Sequence, residues 1–438
     1  KDDITSIVVS EGITNISDWL FYGLTNVKSV KLPDTVREIG DVAFSGCTSL
    51  QSITLGSELR SIGFGAFENC VSLTSITLPE KVYWIDTAAF YKSGLTSITI
   101  PSSVTTYGTG IFEECPNLQT AVIHSNADIP GQMFKRCPSL KTVTLSERIK
   151  SIGNEAFWVC ESLTDINIPS YVTNIGTRAF SSCDLRQLKL PYSLRTLGVA
   201  AFGSNENLES IEFGAGITAI PDSCFSSCSA LKKIVLPVGV TSIGENAFSY
   251  CQSLENLALP PTVTTIGANA CSHCPNLESI VIPASVSSIG NTALTGMNNE
   301  TDGKELKFVA DSLSGISLST GLPEKQTLGW RPFAAFEEIW SNGETDNITL
   351  TLDETNLLEN TQYLPGSHTA SDFFPAKGNL FKGTTLQLPE NGIYTFYSMD
   401  EAGNQLVKEY TVTKIDKLAP AILATPDGTL VRVEVTDR

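Results

Sequence analysis

Leu73-Thr-Ser-Ile76-Thr-Leu78-Pro79 recurs along the chain as Leu50-Gln-Ser-Ile53-Thr-Leu55, Leu163-Thr-Asp-Ile166-Asn-Ile168-Pro169 and Leu277-Glu-Ser-Ile280-Val-Ile282-Pro283. The shared pattern, L-x-x-L-x-L, returns about every 23 residues from the start to about residue 300. Successive strand side chains face opposite ways, so the apolar steps 0, 3 and 5 turn inward and steps 2 and 4 turn outward. A lone unit cannot cover its own apolar side and would be unfolded; stacking identical units buries one continuous core. The expected architecture is a coil with one strand per turn. Thirteen strands are expected, beginning near Thr5, Lys28, Gln51, Thr74, Thr96, Gln119, Lys141, Thr164, Arg186, Glu209, Lys232, Glu255 and Glu278. A fourteenth, Leu306 to Val309, follows an irregular insert.

Each strand is followed by a second block, such as Val36-Arg-Glu-Ile39-Gly40-Asp-Val-Ala43-Phe44-Ser-Gly-Cys47 or Val240-Thr-Ser-Ile243-Gly244-Glu-Asn-Ala247-Phe248-Ser-Tyr-Cys251. Proline closes many strands (Pro33, Pro79, Pro101, Pro169, Pro191, Pro237, Pro260 and Pro283), because it has no N–H for a ladder. Glycine in the I-G pair suits a tight bend. Phe44, Phe67, Phe90, Phe157, Phe180, Phe202 and Phe248 form a spine reaching inward from the outer wall. Burying a Leu, Ile or Phe side chain contributes roughly 1.5–3 kcal/mol, so six or seven such residues per turn suffice once neighbours cover them.

Nine of the eleven cysteines, Cys47, Cys70, Cys115, Cys137, Cys160, Cys183, Cys228, Cys251 and Cys274, share one slot that Leu24, Ser93 and Asn205 fill elsewhere. A slot open to Cys, Ser, Asn and Leu is an interior corner, where a thiol meets backbone carbonyls. Free core thiols are therefore expected in place of a disulfide framework. Cys271-Ser-His273-Cys274 has superficial zinc spacing with Cys224 and Cys228. Two turns separate the two pairs by roughly 10 Å, too far for one tetrahedral ion, so no metal is expected.

The net charge of −18 opposes binding to nucleic acid. No run of about 18 apolar residues occurs, so a transmembrane segment is not expected in this chain. The chain opens on a strand without an apolar leader, which suits a protein whose targeting segment has been removed. His124, His273 and His368 lie in separate regions, and no G-x-S-x-G, H-E-x-x-H or phosphate-cradling loop is present. Neither catalysis nor a cofactor is expected.

After Thr292 the repeat decays. Trp330-Arg-Pro332-Phe333-Ala-Ala-Phe336-Glu-Glu-Ile339-Trp340 has helical apolar spacing and reads as a short amphipathic cap over the open end of the coil. A polar linker leads to alternating segments at Ile348–Leu352, Thr385–Leu388, Ile393–Tyr397 and Val407–Val412, which read as a small antiparallel sandwich. The expected division is a solenoid over 1–300, a terminal strand, cap and linker over 301–344, a β-sandwich over 345–416, and at 417–438 the start of a further β module.

The unit S-I-x-L-P-x-x-V-x-x-I-G-x-x-A-F-x-x-C-x-x-L closely resembles the BspA-like class of leucine-rich repeat, over residues 4 to 300. Its departures are chiefly a one-residue deletion near Ser93 and Cys271 in place of Phe. G-x-Y-T-x-x-x-x-D-x-A-G-N at Gly392 to Asn404 resembles a bacterial immunoglobulin-like surface domain. The fold class is accordingly an α/β leucine-rich solenoid with a parallel sheet on one face, followed by an all-β immunoglobulin-like sandwich. The resemblance implies a bacterial extracellular or cell-surface protein adhering to host matrix proteins or to another cell; a monomer is expected. It supplies no ligand residues.

Candidate binding residues come from the chain itself. The outward step 2 column runs Ser6, Ser29, Ser52, Ser75, Ser97, Thr120, Thr142, and the step 4 column Val8, Lys31, Thr54, Thr77, Thr99, Val122, Thr144. Turns 2 to 7 thus show a hydroxyl-rich sheet whose few charges are Lys28, Lys31 and Lys141, a flat surface for a protein partner. Turns 8 to 13 are mixed in charge. The bland account is that Thr is a good strand former. No aromatic ring stands in either column, which disfavours a sugar site there. Tyr83, Trp84 and Tyr91 form a second candidate, since exposed aromatics are enriched at interfaces. A carbohydrate binder, an inert stalk and an enzyme remain the rival readings.

Overall fold

In the computed structural model the described residues are 3–277, 279–283, 285–294 and 296, followed by the backbones of strands between Lys307 and Thr436. The repeats stack as coils, numbered here 1 to 13 in the order of the expected strands, and each coil has three walls. The first wall carries the L-x-x-L-x-L strands in parallel register, Ser6 on Ser29, Ser29 on Ser52, and Ser97 on Thr120 on Thr142. Coil 13 continues past the insert into Lys307–Ala310, which pairs in parallel with Ser279–Ile282.

The second wall is a further ladder, which the sequence did not announce. Its strands are two residues long: Asn15–Ile16, Glu38–Ile39, Ser61–Ile62, Trp84–Ile85 and Thr106–Tyr107 form one parallel sheet. Where a glycine follows such a strand, as Gly40, Gly63 and Gly108 do, crowding requires it. A Cβ on Gly108 would stand 2.0 Å from the Thr87 amide nitrogen of the preceding coil, and its φ is not left-handed.

The third wall runs from this glycine to the Cys slot, and it corrects the expected α/β class: no helix occurs among the described residues. Its backbone is left-handed at two slots per coil, two residues before and two after the Phe, with φ of 52–62° at non-glycine positions such as Val42, Asn69, Arg136 and Val159. An α-helix needs right-handed residues throughout and i−4 acceptors. Here the amides of Val42, Phe44 and Gly46 donate to Phe64 O, Ala66 O and Glu68 O of the next coil, at 2.7, 2.9 and 2.8 Å. A left-handed non-glycine residue costs roughly 1–2 kcal/mol. The inter-coil hydrogen bonds and ring stacking that this conformation permits offset it. Of the segment expected to form a capping helix, Glu338–Ile339 is a strand pairing antiparallel with Asp346–Thr351, and Trp330 to Phe336 lie outside the described residues.

The phenylalanine spine is longer than expected. Phe21, Phe112, Phe134 and Phe225 join it, giving an unbroken column from Phe21 to Phe248 with neighbouring ring centroids 5.0–5.8 Å apart. Beside it, each of the nine slot cysteines donates its thiol to the Phe carbonyl of the preceding coil, from Cys47 on Phe21 O at 3.3 Å to Cys274 on Phe248 O at 3.2 Å. All eleven thiols are free and buried. Burial pushes Cys47 up to about 11 and Cys228 and Cys274 up to about 12, so the reactive thiolate is scarce at neutral pH. A thiol-specific disulfide reagent is therefore expected to leave the native protein unmodified and to titrate eleven groups after denaturation. A shortfall of one pair would mean a disulfide and overturn this account.

Three coils are one residue short. Leu73 to Leu95, Leu118 to Leu140 and Leu163 to Leu185 span 22 residues where the other spacings are 23. In each of these coils one wall leaves its ladder. Segments 74–78 and 164–168 keep alternating burial but pair with neither neighbour, and coil 6 keeps only an isolated bridge, Ile129 with Ile152, on its second wall. A closed turn with one residue fewer cannot hold both ladders in register.

Beyond the solenoid, Gly392–Met399 and Gln405–Val412 form an antiparallel hairpin. Ala421–Asp427 and Leu430–Thr436 pair with each other, and the latter also pairs with Asp346–Thr351 in a five-stranded sheet.

Candidate binding surface

On the first wall, strand alternation points Ser52, Thr54, Ser75, Thr77, Ser97, Thr99, Thr142 and Thr144 to solvent, while Thr120 is half-buried. None of these hydroxyls is spent on a hydrogen bond within the described residues, so all can serve a partner. The three outward columns of coils 2 to 7 hold Lys28, Lys31 and Lys141 and no carboxylate, in a protein whose net charge is −18. None of the three lysines forms a salt bridge among the described residues.

The face is not one flat sheet. Ser75 and Thr77 stand on coil 4, which leaves the ladder, so two three-stranded sheets flank them: Ser6–Val8 to Ser52–Thr54, and Ser97–Ile100 to Thr142–Thr144. Ile76, between the two hydroxyls, is half-buried where its counterparts Ile53 and Ile98 are buried. Coil 8 breaks the same wall again. There Asp165, Asn167, Gln187, Lys189, Ser210 and Glu212 rim a shallow depression of about 440 Å³ floored by Ile166, Leu188 and Ile211. Lys189 and Glu212 close one side as an ion pair at 3.1 Å. Both members of that pair are exposed, so it contributes little to stability.

The aromatic candidate does not hold together as one anchor. Tyr83 and Trp84 lie on the second wall, 48% and 38% exposed. Tyr91 lies on the third wall and is half-buried, with the Lys92 ammonium 4.8 Å from its ring centroid. Further along that wall the Trp158 ring is flanked by Lys135 at 5.2 Å and Arg136 at 5.5 Å, and Lys135 also bridges Glu113 and Glu155. Those charges tie coils together and leave little for a ligand. Among the described residues no three His, Cys, Asp or Glu side chains converge as a metal would require, and no helix is long and apolar enough to cross a membrane.

The family described as BspA type leucine-rich repeat region, in six copies, matches residues 1–119, 60–186, 127–234 and 173–301. The chain belongs to this family. A BspA-type chain is thus a leucine-rich repeat protein whose repeats build an interaction scaffold. A leucine-rich repeat protein from Bacteroides ovatus is 27% identical and superposes with a TM-score of 0.57, over 69% of this chain and 92% of its own. Others are a leucine-rich repeat protein from Eubacterium ventriosum, with 25% identity, a TM-score of 0.49 and coverage of 71% and 87%, and a leucine rich cell surface protein from Faecalibacterium prausnitzii, with 28%, 0.39, 73% and 92%. Among curated proteins none matches this BspA-type chain.

Proposed function

We propose that the chain is a bacterial cell-surface or secreted adhesin-like scaffold, and that the first wall of coils 2 to 7 docks a protein on a host matrix or a neighbouring cell. The observation that carries this is the array of exposed, unspent hydroxyls with lysines and no carboxylates, on a molecule otherwise strongly acidic. Charge avoidance on one wall lowers the cost of bringing an acidic or neutral partner close. The protein acts as a monomer outside the cell. Residues 345–416 form an immunoglobulin-like spacer and 301–344 the terminal strand and linker; the strands within 417–438, which share a sheet with Asp346–Thr351, extend that spacer.

Pull-down against extracellular matrix proteins identifies the partner. With it in hand, Thr77→Glu with Thr99→Glu should abolish capture and leave the melting temperature unchanged, because both side chains are exposed and unbonded. Capture equal to that of the parent would remove this wall as the site. Silence against every matrix protein and cell surface tried would favour an inert stalk.

A further inference from the structure

The second wall of coils 2 to 4 carries a patch that the docking surface above does not use. The residues just before its two-residue strands read Arg37, Arg60 and Tyr83, with Trp84 next to Tyr83. Their register is set by the backbone: the Arg60 amide donates to Arg37 O at 2.8 Å and the Tyr83 amide to Arg60 O at 2.9 Å. Consecutive side chains therefore leave the ladder about 4.8 Å apart. All four are exposed.

Neither guanidinium makes a hydrogen bond or ion pair among the described residues. The acid they influence, Glu58, is already held by the Lys81 ammonium. Its carboxyl is held below its ordinary value chiefly by Lys81, with Arg60 and Arg37 adding to the effect. Glu38, beside Arg37, forms no ion pair either.

Two free guanidinium forks, one coil apart, match the planar two-oxygen geometry of a carboxylate. The adjoining Tyr and Trp offer flat apolar surface with polar edges. A ligand that uses both features joins a carboxylate to a ring with an apolar C–H face. We propose that Arg37, Arg60, Tyr83 and Trp84 form a site for acidic glycans, the guanidiniums taking the carboxylate of a uronic or sialic acid and the aromatic pair stacking on the sugar ring. An acidic peptide fits less well. The Ser61–Ile62 and Trp84–Ile85 strands already pair on both sides, which leaves no edge for an added strand. The stacking platform missing from the first wall is thus present on the second.

The test is a glycan array printed with uronic-acid- and sialic-acid-bearing oligosaccharides, each beside its carboxyl-reduced form, with a hexaglutamate peptide as a further probe. The intact protein should bind carboxylated glycans and lose about tenfold or more on carboxyl reduction, which is the scale of one charge-assisted hydrogen bond. Arg37→Ala with Arg60→Ala, and separately Tyr83→Ser with Trp84→Ser, should each lose as much with unchanged thermal melts. Arg37→Lys with Arg60→Lys keeps the charge, folds if the alanine pair does not, and should still bind weakly because the fork is gone. Thr77→Glu with Thr99→Glu should leave glycan binding intact, which separates this site from the docking wall. Binding indifferent to carboxyl reduction, variants as good as the parent, or a preference for hexaglutamate would each overturn the proposal.

Discussion

Phe157→Ala should lower the unfolding free energy by about 3–5 kcal/mol in urea melts, the range for truncating a buried aromatic. Phe157 is fully buried, and its ring stacks 5.4 Å from Phe134 and 5.0 Å from Phe180. The hole would be hard to close. The amide of Phe157 is tied to Ala179 O and that of Phe134 to Ala156 O, so coils on both sides are pinned at their backbones and cannot slump inward. Removing the ring costs its transfer free energy and strands two flanking rings against a void. Thr77→Ala on the outward column of coil 4 is the control, with an expected cost under about 0.5 kcal/mol. Equal losses for the two variants would show that inside and outside have been assigned wrongly.

That assignment was legible because a strand's side-chain period is fixed at two, so one correct leucine places every other residue. The Cys slot was legible for a related reason. Cys, Ser and Asn have in common a small polar head, and each of the nine slot thiols meets the Phe carbonyl of the coil before it. The extra spine members, Phe21, Phe112, Phe134 and Phe225, escaped notice because Leu20, Ile111, Met133 and Cys224 stand where most coils have Ala. The third wall was misread for a deeper reason. Ala-Phe followed by two polar residues and Cys has apolar spacing that a helix also accepts, and only the left-handed slots exclude it. Gly23, Gly46, Gly65, Gly110, Asn69, Asn246 and Asn269 in those slots were the available signal. Val42, Val159 and Arg178 in the same slots obscured it, because such residues rarely adopt φ > 0.

The candidate site was less legible than the fold. Outward columns follow from periodicity, and Ser52, Thr99 and their neighbours stand where expected. The separation of Tyr91 from Tyr83 and Trp84 depends on where the chain turns between walls. The glycine after Ile85 in the consensus is replaced here by Asp86, which hid that corner. The breaks at coils 4 and 8 were foreshadowed only by a missing residue in each. Their consequence arises from the closure of the coil, a constraint that no local pattern expresses.

Coil 8 also explains the one asparagine in the Cys slot. In regular coils the leucine that opens a strand donates its amide to the slot residue three positions back, as Leu50 does to Cys47 O and Leu163 to Cys160 O. The corner Cys183-Asp184-Leu185 lacks the residue this requires. Asn205, on the next coil, accepts the Leu185 amide on Oδ1 at 3.2 Å, and its Nδ2 donates to Phe180 O at 2.8 Å and Phe202 O at 2.7 Å. Asn205→Leu would leave the Leu185 amide and Phe180 O unpaired, while Phe202 O keeps the Cys228 thiol as a donor; at about 1–3 kcal/mol for each unpaired group, a loss of about 2 kcal/mol or more is expected in urea melts. Asn205→Cys restores the slot's usual donor to Phe180 O but offers nothing to Leu185 N–H, and should fall between parent and leucine variant. Amide hydrogen exchange at Leu185 distinguishes this account from a simple packing defect: it should accelerate in both variants, because both remove the acceptor. Exchange at Leu185 unchanged in Asn205→Cys would mean that the shortened corner satisfies its own amide, and the asparagine would need another explanation.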